Sequence, residues 1–257
     1  MQEMFKRQLE SFLERYPKIF FCHVPKCAGV SLSNAIYRAI YPVFLKATRY
    51  SGHISLPGSR QCESLLGINM MTAREAQLIF QLSNHNQLFT TGHCVARPEV
   101  VSEFYKDWHF LTILRNPVDR FISEYVYNRF KASEWQKDDR EIEAYLASEK
   151  AIHSALTYAR YFSGIQDVKD ILAAPEEAIA RSVANLRRFS VVGTLDKMAK
   201  WEADFNQRFN ASLQIGSKNA SPNRRALASI TDDKKLMESI TALSQIDTAI
   251  YEQVSAW

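Results

Sequence analysis

The chain has 257 residues, 46% apolar and 23% charged, with a formal net charge of +4. That composition supports a sizeable buried core, and one domain spanning 1–257 is the economical expectation. The small positive excess suits an anionic small ligand, while a nucleic-acid groove would need a basic arm or Lys/Arg interleaved with aromatics, and neither is present.

In chain order, residues 1–15 read as an amphipathic surface helix ended by Pro17. "KIFFCHV" (18–24) is an apolar, aromatic-rich run that predicts a buried strand. Val30, Leu32, Ala35, Ile36, Ala39 and Ile40 then follow helical spacing up to Pro42. Residues 44–70 mix glycines and prolines with Lys46, Arg49 and Arg60, and read as a long excursion. Thr72 with Glu75 forms a capping box that predicts a helix to about Leu82. "QLFTTGH" predicts a strand ending at His93, residues 98–105 a short helix, and "WHFLTILR" (108–115) a second strongly apolar strand. At its exit Asn116 is a good N-cap, Pro117 fits the first helical position and Asp119 complements the helix N-terminus. Helical segments run to about Arg188, "FSVVGTL" (189–195) is a further strand, and a helix, a loop and a last helix over 231–252 close the chain. Strands alternating with helices imply an α/β fold with a mostly parallel central sheet flanked by helices.

Cys22, Cys27, Cys62 and Cys94 form no C-x-x-C pair and have no histidine at zinc-finger spacing, so they read as reduced, partly buried thiols, and no metal is expected. The acid-bearing first residues do not read as a secretory signal, and no apolar run approaches the ~20 residues of a membrane span. The expectation is a soluble, cytoplasmic protein without membrane insertion.

Open α/β sheets bind ligands beyond the carboxyl ends of their strands, and two strand ends carry anion-binding chemistry. The first is "HVPKCAGVSLS". There Gly29 lets the chain wrap a phosphate closely, the amides from Ala28 to Ser31 face a helix N-terminus, Lys26 adds a positive charge, and Ser31 and Ser33 add hydroxyls. The P-loop order G-x-x-x-x-G-K-[ST] is absent, and the lysine precedes the glycine. The second is Arg115, which can grip a phosphate with parallel hydrogen bonds, with Ser123 two turns into the next helix. Two such sites on one sheet imply a ligand with two separated phosphate groups.

"FFCHVPKCAGVSLSNAI" (20–36) resembles the 5′-phosphosulfate loop of sulfotransferases that use 3′-phosphoadenosine 5′-phosphosulfate (PAPS). The likeness is to the carbohydrate branch carrying His-hydrophobic-Pro-Lys-x-x-Gly-x-Ser-Leu, which includes the heparan sulfate 2-O-sulfotransferase type and soluble bacterial relatives. "LTILRNPVDRFISEY" is similar to the 3′-phosphate motif of the same family, and "VVGTLDKMAKWEADF" more weakly to a later segment; together the three span under a quarter of the chain. The resemblance implies a P-loop-like, three-layer sulfotransferase fold, PAPS as donor and PAP as product, without a metal. It also implies cofactor contacts from Lys26, Cys27, Ala28, Gly29, Val30, Ser31, Arg115 and Ser123, and from Lys218 in a late loop, with Lys26 serving the leaving oxygen. Where relatives often have Thr, this loop has Val30, so one hydroxyl is lost and Ser31 must compensate.

Sulfuryl transfer to a hydroxyl needs a base, and histidine suits neutral pH. His93 follows Gly92 at a strand end, and the resemblance makes a Gly-His here the proposed base; His53 and Glu124 are next in line. His23 reads as a packed, hydrogen-bonded histidine. The acceptor side is less specified: Lys46, Arg49, Arg60 and Arg97 suit an anionic saccharide, and Tyr127, Trp135, Tyr158 and Tyr161 are candidates for stacking on sugar rings, although helical core packing explains most such aromatics equally well. A sulfotransferase acting on a saccharide or glycoconjugate hydroxyl is the leading reading. A P-loop nucleotide kinase and a non-catalytic nucleotide-binding module are the alternatives.

Overall fold

The computed structural model describes residues 2–47, 49–215 and 223–257. Helix α1 (Gln2–Leu13) leads into strand β1 (Ile19–Cys22) and α2 (Gly29–Ile40), then a short 3-10 turn (Val43–Lys46) and β2 (Ser51–His53). Helices α3 (Leu56–Leu66) and α4 (Met70–Leu82) precede β3 (Phe89–Gly92), and α5 (Pro98–Phe104) precedes β4 (His109–Leu114). The long connection after β4 holds α6 (Pro117–Phe130), α7 (Ile142–Leu146), α8 (Glu149–Ala155), α9 (Thr157–Phe162), α10 (Val168–Ala173) and α11 (Pro175–Leu186). Strand β5 (Val191–Thr194) is followed by a 3-10 turn (Leu195–Lys197), α12 (Met198–Phe209), α13 (Arg224–Thr231), α14 (Lys234–Leu243) and α15 (Gln245–Ser255). No described helix is long and apolar enough to cross a membrane.

The expected strands form because their apolar runs are buried on both faces, as helix-covered parallel strands require. β1 and β3 are buried at every position, and β4 at all but His109. The four pairings are parallel and the order is β2-β3-β1-β4-β5. Alternate residues of β1 face opposite layers. Phe21 and His23 point to the α2 side, whereas Phe20 meets Phe110, which meets Phe189, which meets Phe162 of α9. Trp201 of α12 donates its indole N–H to the Thr112 carbonyl at 2.9 Å, pinning α12 beneath the sheet. Cys22, Cys27 and Cys94 are buried, Cys62 is half-buried and all four thiols are free.

Two local expectations are corrected. Residues 44–70 are not an irregular excursion: they supply the edge strand β2 and helix α3, whose cap is Ser55 accepting from Gly58 N–H at 3.0 Å. The start of α4 lies earlier than the Thr72–Glu75 box, because Asn69 accepts from Met71 and Thr72 N–H groups. Asn116 does cap α6, accepting from Val118 and Asp119, with Pro117 at the first helical position. The last helical stretch is broken at Ser244 into α14 and α15.

Strand register decides what meets at the carboxyl end of the sheet. Phe21 pairs with Thr91 and with Leu111, offsets of 70 and 90 residues. Carried forward, these offsets set His23 beside His93 and Arg115 level with Pro25. By right-handed crossover, the leftward step from β1 and the rightward steps from β3 and β4 put their connections on opposite faces. The crevice therefore opens around the end of β1.

A buried ion pair holds the helical layer over this end. Arg120 is fully buried; its Nη1 donates to Glu124 Oε2 at 2.6 Å, and its Nη2 donates to the carbonyl and hydroxyl of Ser154, joining α6 to α8. Arg120→Met would leave Glu124 without its cation, held only by the Ser154 hydroxyl, and the Ser154 carbonyl with only the Thr157 hydroxyl as donor. The expected cost is about 3–5 kcal/mol of stability, measured by urea denaturation; a loss below about 1 kcal/mol would show that the pair does not hold the layer.

Candidate active site

The loop after β1 is held in an unusual conformation by non-glycine residues. Lys26 and Ala28 have φ of 66° and 56°, while Gly29 is the first residue of α2 and has no positive φ. The expectation that Gly29 supplies left-handed backbone is therefore corrected. Its need is steric: a Cβ there would sit 1.7 Å from His23 Cδ2. The His23 ring occupies the space a side chain would take. Left-handed turns at two non-glycine residues cost about 1–2 kcal/mol each, and they curl the loop so that successive N–H groups face its mouth. No side chain caps α2 and no acid lies in its first turn. Among the described residues the N–H groups of Gly29, Val30 and Ser31 therefore have no partner, and they stand at the positive end of the helix, where an anion is favoured.

Ser31 makes no side-chain hydrogen bond among the described residues, whereas Ser33 is turned back onto the Val30 carbonyl at 3.2 Å and is not free for a ligand. The Val30 side chain is exposed at the rim. Cys27 points inward, and burial pushes its thiol up to about 11, so it remains a neutral packing group and contributes its backbone to the loop. The second site follows β4. The Arg115 guanidinium and the Ser123 hydroxyl, both half-buried, have no partner among the described residues. The N-terminus of α6 is already satisfied by Asn116, so the anion-binding capacity here rests on the arginine. Lys218 lies outside the described residues.

His93 stands at the end of β3, after Gly92, whose φ is 155° and whose Cβ would lie 2.5 Å from that of Ile54. Its Nδ1 is 2.8 Å from the His23 carbonyl oxygen. A carbonyl only accepts, so Nδ1 carries the proton, and Nε2 of the neutral ring keeps its lone pair for a substrate proton. The His93 ring lies on His23, centroids 4.1 Å apart. Burial lowers the His93 pKa; the His23 carbonyl opposes that, while Arg74 and His53 push it further down. Burial, then His93 and His53, depress His23 to about 3, so it stays neutral. His23 is packed as expected, but its ring makes no hydrogen bond with the described residues; its role is to fill the space against Gly29.

Lys26 Nζ stands 4.0 Å from the centre of the Tyr127 ring. Burial lowers its pKa, Glu124 opposes this, and Arg115 and Lys131 add to it. Lys26 thus feels the charges of Arg115, Lys131 and Glu124. Glu124 is a poor base despite its position. Burial would raise its pKa, but the charge of Arg120 and hydrogen bonds from Arg120 and Ser154 outweigh that and hold it below the usual carboxylate range.

The acceptor candidates divide. Arg97 is taken by Glu75, Nε to Oε1 and Nη2 to Oε2 both at 2.5 Å, which corrects its reading as a free cation. Tyr158 and Tyr161 are buried and cannot stack on a sugar. Trp135 and Tyr127 are exposed, and Arg60 of α3 lies over Trp135 at 4.5 Å, linking α3 to the segment after α6. Arg74 of α4 went unnoticed in the sequence. It is buried and donates from Nε to Ser59 at 3.0 Å and from Nη1 to the His93 carbonyl at 3.4 Å, without a carboxylate partner among the described residues. A lone arginine inside a helical pattern gives no sign of that position.

A parallel α/β sheet thus brings a histidine, a lysine, a free helix N-terminus and an arginine together beyond the carboxyl ends of its three inner strands, β3, β1 and β4. The sulfotransferase family model matches residues 10–252, and the chain belongs to the sulfotransferase family. No curated protein matches it. Among solved structures it is similar to the crystal structure of a sulfotransferase from Alicyclobacillus acidocaldarius, at 14% identity over 89% of this chain and 96% of that one, with a TM-score of 0.31.

The depressed His23 pKa gives a stability prediction. Between pH 6.5 and about 3 the unfolded chain binds a proton at His23 that the folded chain does not. Stability should therefore fall as pH drops through that window, by up to about 1.4 kcal/mol per pH unit from this residue. His23→Gln should flatten the slope of unfolding free energy against pH over that range. An unchanged slope would mean that His23 titrates alike in both states.

Proposed function

We propose that this chain is a PAPS-dependent sulfotransferase of the carbohydrate branch, moving a sulfuryl group to a hydroxyl of a saccharide or glycoconjugate. The observation that carries the reading is the set of unpaired donors at two neighbouring strand ends, the α2 N–H groups with Ser31 and the Arg115 guanidinium with Ser123. One phosphate at each matches a nucleotide phosphorylated at both 5′ and 3′ positions. When bound, PAPS supplies the sulfuryl group and leaves as PAP.

The chain's own groups then have distinct tasks. The α2 N-terminus and Ser31 bind the 5′ side, and Arg115 and Ser123 bind the 3′ side. Lys26 Nζ meets the negative charge that grows on the bridging oxygen, where a preplaced cation costs no reorganisation. Its resting contact with the Tyr127 ring keeps it at the mouth of the loop. His93 Nε2 takes the acceptor proton, and the His23 carbonyl at Nδ1 stabilises the imidazolium that results. Arg74 and His53 lie near His93, and the Arg60–Trp135 pair offers the acceptor a cation and an exposed aromatic face.

Three measurements on one set of preparations test this. PAP should raise the melting temperature well above the shift from ATP. Arg115→Ala should weaken PAP binding by about 1.5–3 kcal/mol. His93→Ala should bind PAP like wild type yet lose kcat by about 10² or more, whereas Lys26→Ala should lose turnover and some affinity. Equal shifts from PAP and ATP, or a magnesium requirement, would favour the kinase reading, and normal turnover in His93→Ala would move the base to another group.

The pH profile gives a separate check. Because the His93 pKa lies below 6.5, kcat/KM should be on its plateau at pH 7 and fall only as pH drops through a midpoint below 6.5. A midpoint above 6.5 would contradict His93 as the base.

A further inference from the structure

We propose that the Tyr158 hydroxyl is a positioning group that fixes the separation of the two anion sites, so that a nucleotide with two phosphates can engage both at once. The inference rests on the reading of the donor as a doubly phosphorylated nucleotide.

Tyr158 comes from α9 and from neither anion-site motif, and its side chain has no exposed surface. Its oxygen accepts from the Arg115 N–H at 2.9 Å, and its O–H donates to the Arg115 carbonyl at 2.5 Å. The same oxygen lies 3.7 Å from Cys27 Sγ in the β1 loop. Arg115 follows the last residue of β4, where a strand partner no longer satisfies its backbone, and buried backbone groups need partners. One hydroxyl serves as both partners there. With its proton committed to the Arg115 carbonyl, the Tyr158 oxygen can only accept in the third contact, and the Cys27 thiol, which burial keeps protonated, shares its one proton between that oxygen and the Pro25 carbonyl, each at 3.7 Å.

The tyrosine is itself anchored. Asp247 of α15, fully buried, accepts from Tyr158 N–H at 2.7 Å and Ala159 N–H at 3.0 Å, satisfying the start of α9. A continuous line of contacts thus runs from α15 through α9 to one oxygen that touches both loops. Because that oxygen's bonds are used within the protein, Tyr158 acts as a spacer and has no contact to offer the nucleotide. A ligand with one phosphate occupies one loop and is insensitive to the spacing; a ligand with both phosphates reads it directly.

The test is calorimetric binding of PAP, adenosine 5′-monophosphate and adenosine 3′-monophosphate to wild type, Tyr158→Phe and Cys27→Ala. Tyr158→Phe should weaken PAP about tenfold or more while each monophosphate changes less than about threefold. Cys27→Ala, which removes only the contact to the first loop, should lower the ratio of PAP to monophosphate affinity by about threefold and keeps the test open if Tyr158→Phe does not fold. Loss of PAP and monophosphate binding by one common factor, or an unchanged ratio, would overturn the spacer. Wild-type protein with no advantage of PAP over either monophosphate would remove the two-phosphate donor itself, and the spacer with it, a failure visible without any variant.

Discussion

The parallel register of β1 against β3 and β4 is the constraint on which the site depends. With offsets of 70 and 90 residues, it sets His93 against His23 on one side of β1 and Arg115 level with Pro25 on the other. Strands two positions apart are separated by about 10 Å, so the base and the second anion site flank the loop that carries the first. A slip of one residue in either pairing would turn the side chains to the opposite face. In the β1–β3 pairing it would part the two imidazoles and point His93 Nδ1 away from the His23 carbonyl. The cross-strand packing of Phe20 on its register partner Phe110, which helps to fix the β1–β4 pairing, therefore also bears on the chemistry.

Around this frame the charges are arranged so that a polyanion completes them. Arg115 and Lys131 both push on Lys26, and the nearby carboxylate, Glu124, is already committed to Arg120 and Ser154. Glu124 thus moderates the repulsion without neutralising the cleft. Two histidines are held neutral at the same mouth, chiefly by burial. Such an arrangement suits negative charge with a proton acceptor at hand, the combination that the proposed transfer of an anionic group to a hydroxyl requires.

The parts of this arrangement written in short, contiguous patterns were legible in the sequence. The apolar runs of β1, β3, β4 and β5, the Asn116-Pro117 helix start and the strand-end positions of Lys26, His93 and Arg115 follow from local chemistry alone. What escaped depends on distant partners or on weak local signals. β2 is three residues of Ser-Gly-His at a sheet edge, with no apolar alternation to reveal it, and Pro57 with Gly58 disguises the start of α3. Gly29 was recognised as necessary for the wrong reason: its neighbour in space, the His23 ring, became visible only once the loop folded back. Tyr158, open in the sequence to core packing or to a sugar, and Arg97, a candidate for an anionic sugar, are decided by partners, Arg115 and Glu75, that lie 43 and 22 residues away. Pairings over such spans are set by the packing of whole elements, which a local reading cannot supply.

The central claim, that the two strand ends hold the two phosphates of one nucleotide, is tested most directly by a crystal structure of the protein with PAP. The account predicts the 5′-phosphate on the N–H groups of Gly29, Val30 and Ser31 beside Lys26, and the 3′-phosphate on the Arg115 guanidinium within reach of Ser123. His93 Nε2 should face the space beyond the 5′-phosphate. A nucleotide bound elsewhere, or with its 3′-phosphate turned away from Arg115, would contradict it.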